Sequence, residues 1–219
     1  MVRLATYNIR HGRGLDGIVD VARVARAITE TGAAFVALQE VDRNRARSGG
    51  IDQPALLAEM TGLEVGFWPT LTHGNGEYGL AAAASETYEA DFHPLPRSAS
   101  EEPRGAIVAR WRGITLVAVH LATESGPRRL QIEALAELST EVTPPTVILG
   151  DLNSPRRGLD PLFDAGFDPG PRLKTRGSVR LPQIDYILPG PGLALEAAWT
   201  LPTTASDHVP VVAEVTTTS

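Results

Sequence analysis

Short apolar runs alternate along the chain with polar, glycine-rich breaks, and most of the runs end on a residue with ligand or acid–base chemistry. Their lengths and alternation predict strands over 2–8, 34–38, 64–68, 79–84, 91–95, 105–110, 114–120, 147–149, 184–188, 193–199 and 208–215. Ile18, Val21, Ala25 and Ile28 recur at helical spacing, so a helix is expected from a cap at Asp16 to about Glu30, stopped by Gly32. Further helices are expected over 53–60 and 128–138, with a short one near 159–163. Arg112-Gly113 between two strands predicts a hairpin, and residues 41–51 and most of 154–181 are expected to be loop. Helices alternate with some strands while hairpins join others, which predicts an α/β fold with mixed sheets.

The chain has 219 residues and no linker-like stretch, so a single domain over 1–219 is expected. It has no Cys, which excludes disulfides, thiolate nucleophiles and Cys-held metals. No signal peptide and no membrane-length apolar run are visible, so a cytoplasmic monomer without membrane insertion is expected. Gly12-Arg13-Gly14 is too short for a dinucleotide-binding turn, and no phosphate-loop lysine follows it. A formal charge of −6 argues against dense, non-specific nucleic-acid binding. Lys174 is the single lysine among 20 basic residues; the rest are Arg, many of them in expected loops. Arg10, Arg13, Arg43, Arg45, Arg47, Arg104, Arg156, Arg157, Arg172, Arg176 and Arg180 could form a phosphate-binding rim, since guanidinium suits bidentate phosphate contact. The plain alternative is that Arg replaces Lys over the surface with no bearing on substrate.

The polar run-ends carry the chemistry. Glu40 follows the apolar 35–38 run and is the candidate ligand for a hard cation such as Mg²⁺, for which Mn²⁺ would substitute. Asn8 ends the first strand and would orient phosphate or a metal-bound water, or cap a turn. Asp151 and Asn153 flank Leu152, so on extended backbone both polar side chains face one way. His208 and Asp207 are neighbours and face opposite ways, so Asp185 is the candidate partner of His208, while Asp207 turns toward the metal. His120 is the second imidazole, which could contact the phosphate and assist departure of the leaving oxygen. Arg10, His11 and Arg104 are candidate substrate contacts; His73 in a glycine-rich loop is a weaker one.

Thr6-Tyr7-Asn8, Leu38-Gln39-Glu40, the glycine after Tyr78, Val119-His120-Leu121, Gly150-Asp151-Leu152-Asn153, Gln183-Ile184-Asp185-Tyr186-Ile187 and Ser206-Asp207-His208-Val209-Pro210 occur in that order. In this the chain resembles the endonuclease/exonuclease/phosphatase superfamily, which includes pancreatic deoxyribonuclease, abasic-site endonucleases, sphingomyelinases and inositol polyphosphate 5-phosphatases. The resemblance implies a four-layer α/β sandwich with two stacked mixed sheets flanked by helices and a site at one end. It implies Glu40, Asn8 and Asp207 at a Mg²⁺ site and His120, Asp151, Asn153, Asp185 and His208 as catalytic residues. His120 matches the deoxyribonuclease and sphingomyelinase branches; the abasic-site branch carries an amide there. The chain departs from the family at Gly79-Leu80-Ala81-Ala82-Ala83-Ala84-Ser85, where a polar, substrate-facing position is common.

The expected activity is Mg²⁺-dependent hydrolysis of a phosphodiester by single water displacement, on nucleic acid, a phospholipid or a small diester. A small-molecule phosphomonoesterase or polyphosphate phosphatase is the enzymatic alternative, and a non-catalytic phosphate-binding module the other. A long basic groove would favour nucleic acid, whereas a pocket closed by Tyr78, His73 and Trp68 would favour a small headgroup.

Overall fold

A computed structural model of the protein describes residues 1–176 and 182–218. The first sheet contains β1 (Val2–Asn8), β2 (Phe35–Arg43), β3 (Glu64–His73), β4 (Gly76–Ala84), β10 (Leu193–Thr200) and β11 (Val211–Thr217), in the order β10-β11-β1-β2-β4-β3. The second contains β5 (Glu89–Pro94), β6 (Gly105–Trp111), β7 (Ile114–His120), β8 (Thr146–Asp151) and β9 (Asp185–Pro189), in sequence order. Each sheet has one parallel pair at its centre, β1 with β2 and β7 with β8, and antiparallel neighbours elsewhere. The two parallel pairs therefore end at the same edge of their sheets, which is where the polar run-ends gather.

Three apolar layers hold the stack together. Leu4, Phe35 and Leu80 of the first sheet meet Ile107, Leu116 and Leu149 of the second between the sheets. Val24 and Ile28 of α1 (Val21–Thr31) and Leu57 of α2 (Gln53–Thr61) cover the outer face of the first sheet through Tyr7, Val36 and Leu38. Ile132 and Leu135 of α3 (Ser125–Glu141) and Leu162 of α4 (Asp160–Asp164) cover the second through Val117, Ile148 and Leu188. Central strands are thus buried on both faces, which is why they read as unbroken apolar runs. Each fully buried Leu, Ile or Phe contributes about 1.5–3 kcal/mol. The result is the expected four-layer α/β sandwich.

Several boundaries differ from the sequence-based expectation, each for a local reason. α1 begins at Val21, and Asp20, not Asp16, is its cap, accepting from the Arg23 amide. Asp16 instead pairs with the Arg23 side chain at 2.8 Å and leaves Ile18 exposed, because residues 13–19 form a tight turn closed by an Arg13–Val19 bridge. β2 runs on to Arg43 through a bulge between Leu38 and Val41, where a loop was expected. Val41 and Asp42 are fully buried there, so the polar sequence conceals a strand. β3 likewise continues to His73 past its own bulge between Pro69 and Leu71. Gly79 sits between these bulges, and a Cβ there would lie 2.1 Å from the Trp68 carbonyl oxygen, which explains the glycine after Tyr78. The expected strand over 208–215 starts at Val211 instead, since Pro210 has no N–H to give a ladder. The Arg112-Gly113 hairpin forms as expected, with both residues at positive φ (50° and 74°).

Candidate active site

The parallel pairs bring Asn8 and Glu40 to the end of one sheet and His120 and Asp151 to the end of the other. Asp151 faces Asp185 across β8 and β9. Asn8 joins the sheets: its Nδ2 donates to Glu40 Oε1 and to Asp151 Oδ2, each at 3.0 Å, while its Oδ1 accepts from the Arg10 amide at 3.0 Å. Both amide hydrogens are thereby committed to carboxylates, so Asn8 acts as a tie between them more than as a group open to substrate.

Asp151 Oδ2 is the centre of the arrangement. His120 Nε2 lies 3.7 Å and His208 Nε2 3.9 Å from it, and Asp151 Oδ1 accepts from the Asn153 amide at 2.9 Å. Asn153 is itself fixed by donating from Nδ2 to the Leu121 carbonyl at 2.9 Å. His208 Nδ1 reaches both oxygens of Asp185, at 3.0 and 3.1 Å. The loop carrying His208 is pinned by Ser206, whose hydroxyl donates to the Asn8 carbonyl at 2.8 Å and accepts from the His208 amide at 3.2 Å. Ser206 is a positioning residue that its place in the Ser-Asp-His run did not reveal.

A cavity of about 420 Å³ opens onto this cluster. Arg10, His11, Glu40, Arg104, His120, Asp151, Asn153, Asp207 and His208 line it, together with Arg45, Arg47, Leu71, Tyr78, Glu102, Thr123 and Arg176. Asp185 stands behind His208 and is buried. Of the loop arginines, Arg10, Arg45, Arg47, Arg104 and Arg176 reach the cavity; Arg43 is instead paired with Glu77, and Arg180 lies outside the described residues. Asp207 faces Arg176 at 3.3 Å and Arg10 at 3.8 Å, and Arg47 forms a forked pair with buried Asp42 at 2.7 and 2.8 Å. Of the aromatic trio considered for closing a pocket, Tyr78 lines the cavity and Trp68 packs against the inter-sheet core. His73 is exposed at the end of β3. Ala81, Ala82, Ala83 and Ala84 are buried in the cores, so the alanine run that departs from the family lies away from the cavity wall.

The backbone is strained where the site is built. Arg10, His11, Glu40 and Asn153 all adopt left-handed conformations, with φ of 46°, 44°, 59° and 48°. Such residues cost on the order of 1 kcal/mol or more each and persist where surrounding structure over-determines them. At Glu40 the β2 bulge provides that constraint, turning the carboxylate off the sheet and into the cavity.

Burial and charge set the protonation pattern. Burial and the neighbouring Asp185 push the Asp151 carboxyl up to about 7, against the pull of His208 and the Asn8 amide. Burial disfavours a charged His208, but the charge and hydrogen bond of Asp185, with Asp151 and Asp207, outweigh it and raise the ring to about 9. His120 moves the other way, held well below the usual range by burial, then Arg104, then His208. Burial and then Arg47 also lower His11.

The donor set suits a hard divalent cation. Glu40, Asp151 and Asp207 present carboxylates to one cavity; burial, and after it the Asp185 charge, raises Asp151, and a bound cation would offset both. Asp151, Asp185 and His208 also place ligand atoms within 4.8 Å of one another, though His208 Nδ1 is already committed to Asp185.

The model of the Endonuclease/Exonuclease/phosphatase family matches residues 5–208. The chain belongs to that family. Its members are phosphoesterases and nucleases, and the protein is a hydrolytic enzyme of this class. No curated protein matches the sequence. Among solved structures, an endonuclease/exonuclease/phosphatase from Beutenbergia cavernae DSM 12333 superposes with a TM-score of 0.80 at 21% identity, over 99% of this chain and 71% of that one. An AP endonuclease from Archaeoglobus fulgidus gives 0.71 at 20% identity over 98% and 99% of the two chains. A mannosyl-6-phosphatase from Bacteroides thetaiotaomicron VPI-5482 gives 0.73 at 14% identity over 99% and 100%. These likenesses concern the fold. Among the described residues no helix is long and apolar enough to cross a membrane.

Proposed function

We propose that the protein is a Mg²⁺-dependent phosphoesterase that hydrolyses a small phosphodiester by single water displacement. The observation that carries this reading is the Asn8 amide, which ties Glu40 to Asp151 at 3.0 Å each while two imidazoles flank the same Asp151 oxygen. Glu40, with Asp207, would hold the cation. A bound Mg²⁺ supplies charge neutralisation at the phosphate and stabilisation of the leaving oxygen. Asp151, with an affinity for protons near neutrality, orients the attacking water and accepts its proton. His208, kept cationic by Asp185, and the His120 and Asn153 donors stabilise the charge on the phosphate oxygens. Five arginines gathered at one cavity of about 420 Å³ support a small phosphate-bearing substrate. That same count of guanidinium groups favours a second reading, a phosphomonoester or polyphosphate carrying more negative charge, and the mannosyl-6-phosphatase shares the fold.

The test is hydrolysis of bis(p-nitrophenyl) phosphate and p-nitrophenyl phosphate with Mg²⁺ or Mn²⁺ and with EDTA, for wild type, Glu40→Gln and His208→Ala. Faster turnover of the diester, lost with EDTA and in both variants, is expected. Preference for the monoester selects the second reading, and turnover that survives both substitutions sinks the site assignment.

Cation binding is also expected to stabilise the fold. At a concentration 100 times its Kd, a cation that binds only the folded state adds about 2.7 kcal/mol. Thermal unfolding with and without Mg²⁺ reads this directly, and Glu40→Gln should remove most of the gain at any fixed concentration near the wild-type Kd. An unchanged gain in Glu40→Gln would move the cation away from Glu40.

A further inference from the structure

His120 and His208 each place an imidazole beside Asp151, yet the groups behind them are opposite in kind. Behind His208 stands a carboxylate, Asp185. Behind His120 stands a guanidinium: Arg104 Nη1 lies 2.7 Å from His120 Nδ1, with both side chains buried. Arginine has five N–H donors, no acceptor and no accessible neutral form. A contact this short therefore requires a bare lone pair on Nδ1, which leaves the single ring proton on Nε2. Nε2 is the nitrogen on the Asp151 and cavity side, 3.7 Å from Asp151 Oδ2.

We propose that Arg104 is a positioning residue that locks His120 as the neutral Nε2–H tautomer, making His120 a fixed hydrogen-bond donor to the phosphate and not a proton-transferring acid. The inference rests on the phosphoesterase reading for its catalytic part, while the tautomer stands on geometry alone. Arg104 precedes β6, whose Ala106 pairs with Val119 of β7, so the guanidinium is delivered beside His120 by sheet register. Its other flank faces Glu102 at 3.4 Å, which holds the head group in place. The charged and titratable groups around the ring are Arg104 and Glu102 before β6, Asp151 on β8 and His208 before β11. Protonating Nδ1 would set an N–H against the guanidinium in a buried site, so the imidazolium is excluded by both hydrogen bonding and charge.

The reaction then balances without His120 giving up a proton. The water oxygen forms the new bond to phosphorus and its proton passes to Asp151. The ester P–O bond breaks with its electron pair on the leaving oxygen, which takes a proton from solvent. His120 works as a neutral amide would at this position: of the two roles expected of it, contact with the phosphate is kept, and it donates without transferring its proton.

Two measurements test this on the full-length, Mg²⁺-loaded protein. In long-range ¹H–¹⁵N spectra of the imidazole rings, His120 is expected to show a protonated Nε2 and a bare Nδ1 from about pH 5.5 to 8.5; in Arg104→Met an Nδ1-protonated population should appear. In kinetics, His120→Gln, which keeps a neutral N–H donor, is expected to cost about tenfold in kcat, against about 100-fold for His120→Ala, the usual loss for one oxyanion donor. Arg104→Met should lower kcat in wild type, and this kcat loss should largely vanish in the His120→Gln background, where no tautomer remains to be set. A protonated Nδ1 in wild type overturns the proposal, as does His120→Gln matching His120→Ala. The spectra need no turnover, so a failure of the phosphoesterase reading is distinguishable from a failure of this one.

Discussion

Asp151→Ala is expected to reduce kcat for the best phosphate ester by about 10³-fold, within the 10²–10⁴ range of a positioned general base, while the protein still folds. Asp151 is the group on which the site converges, accepting from Asn8 and Asn153 and facing both imidazoles. Alanine is the cleaner probe, because an asparagine there would set an amide N–H₂ against either the Asn8 Nδ2 or the Asn153 N–H. Removing the carboxylate leaves buried donors unpaired, a cost of about 1–3 kcal/mol. It also changes how stability depends on pH. In the metal-free wild type the Asp151 carboxyl is raised from 3.8 to about 7, so between those values the folded state binds more protons than the unfolded one. Stability from this group is therefore full below pH 4 and falls as pH climbs to about 7. Urea titrations of the EDTA-treated protein at pH 4.5 and 7.5 should show that part of the decline removed in Asp151→Ala. A kcat within tenfold of wild type would take the base role away from Asp151, and an unchanged pH slope would deny its raised proton affinity.

How much of this site was legible in the sequence depends on what each residue's neighbours had to reveal. Asn8, His120 and Asp151 end apolar runs, and run length alone places each at the end of its strand. That Asn8 of one sheet meets His120 and Asp151 of the other follows only from the stacking of the two sheets. The Asp185–His208 pair was legible by a local argument, since adjacent side chains do not share one direction; the structure has a bend over 204–207 in place of the expected strand, and Asp207 still turns away, to Arg176. Glu40 was legible as a run-end, but not its bulge, because Val41 and Asp42 pass for loop until the burial of Asp42 by Arg47 is known. The start of α1 is not legible in the sequence, because Ile18 fits a helical period while standing exposed in a turn. Periodicity records spacing, and only packing decides which spaced residues face a core. The difference between the two histidines lay beyond pattern altogether. It depends on Arg104 arriving from before β6, a contact between residues 16 apart that follows from sheet register.

Gly150→Ala is expected to be among the most damaging single-methyl additions to the chain, at about 3 kcal/mol or more, and to impair catalysis in whatever fraction folds. Gly150 has φ of 152°, and a Cβ there would lie 2.1 Å from the Val119 carbonyl oxygen and 2.9 Å from its carbon. The obstruction is backbone of the neighbouring strand, paired in parallel register with Gly150 itself, so no side-chain rotation relieves it. Relief requires β7 and β8 to part at their ends, and the next pair in that register is His120 with Asp151. The displacement therefore falls on the two residues whose spacing the reaction uses, and Asp185, opposite Asp151, moves with them. Gly49→Ala is the matched control: its φ is 81° but nothing lies within 4 Å of the added methyl, so only the backbone penalty of about 1 kcal/mol applies. Urea midpoints and kcat for the two variants separate the effects. Gly49→Ala should shift the midpoint slightly and leave kcat alone, while Gly150→Ala shifts it far and lowers kcat by at least tenfold. Equal midpoints would mean that β7 and β8 can separate without loss, and the tight strand pairing assigned to this end of the sheet would be wrong.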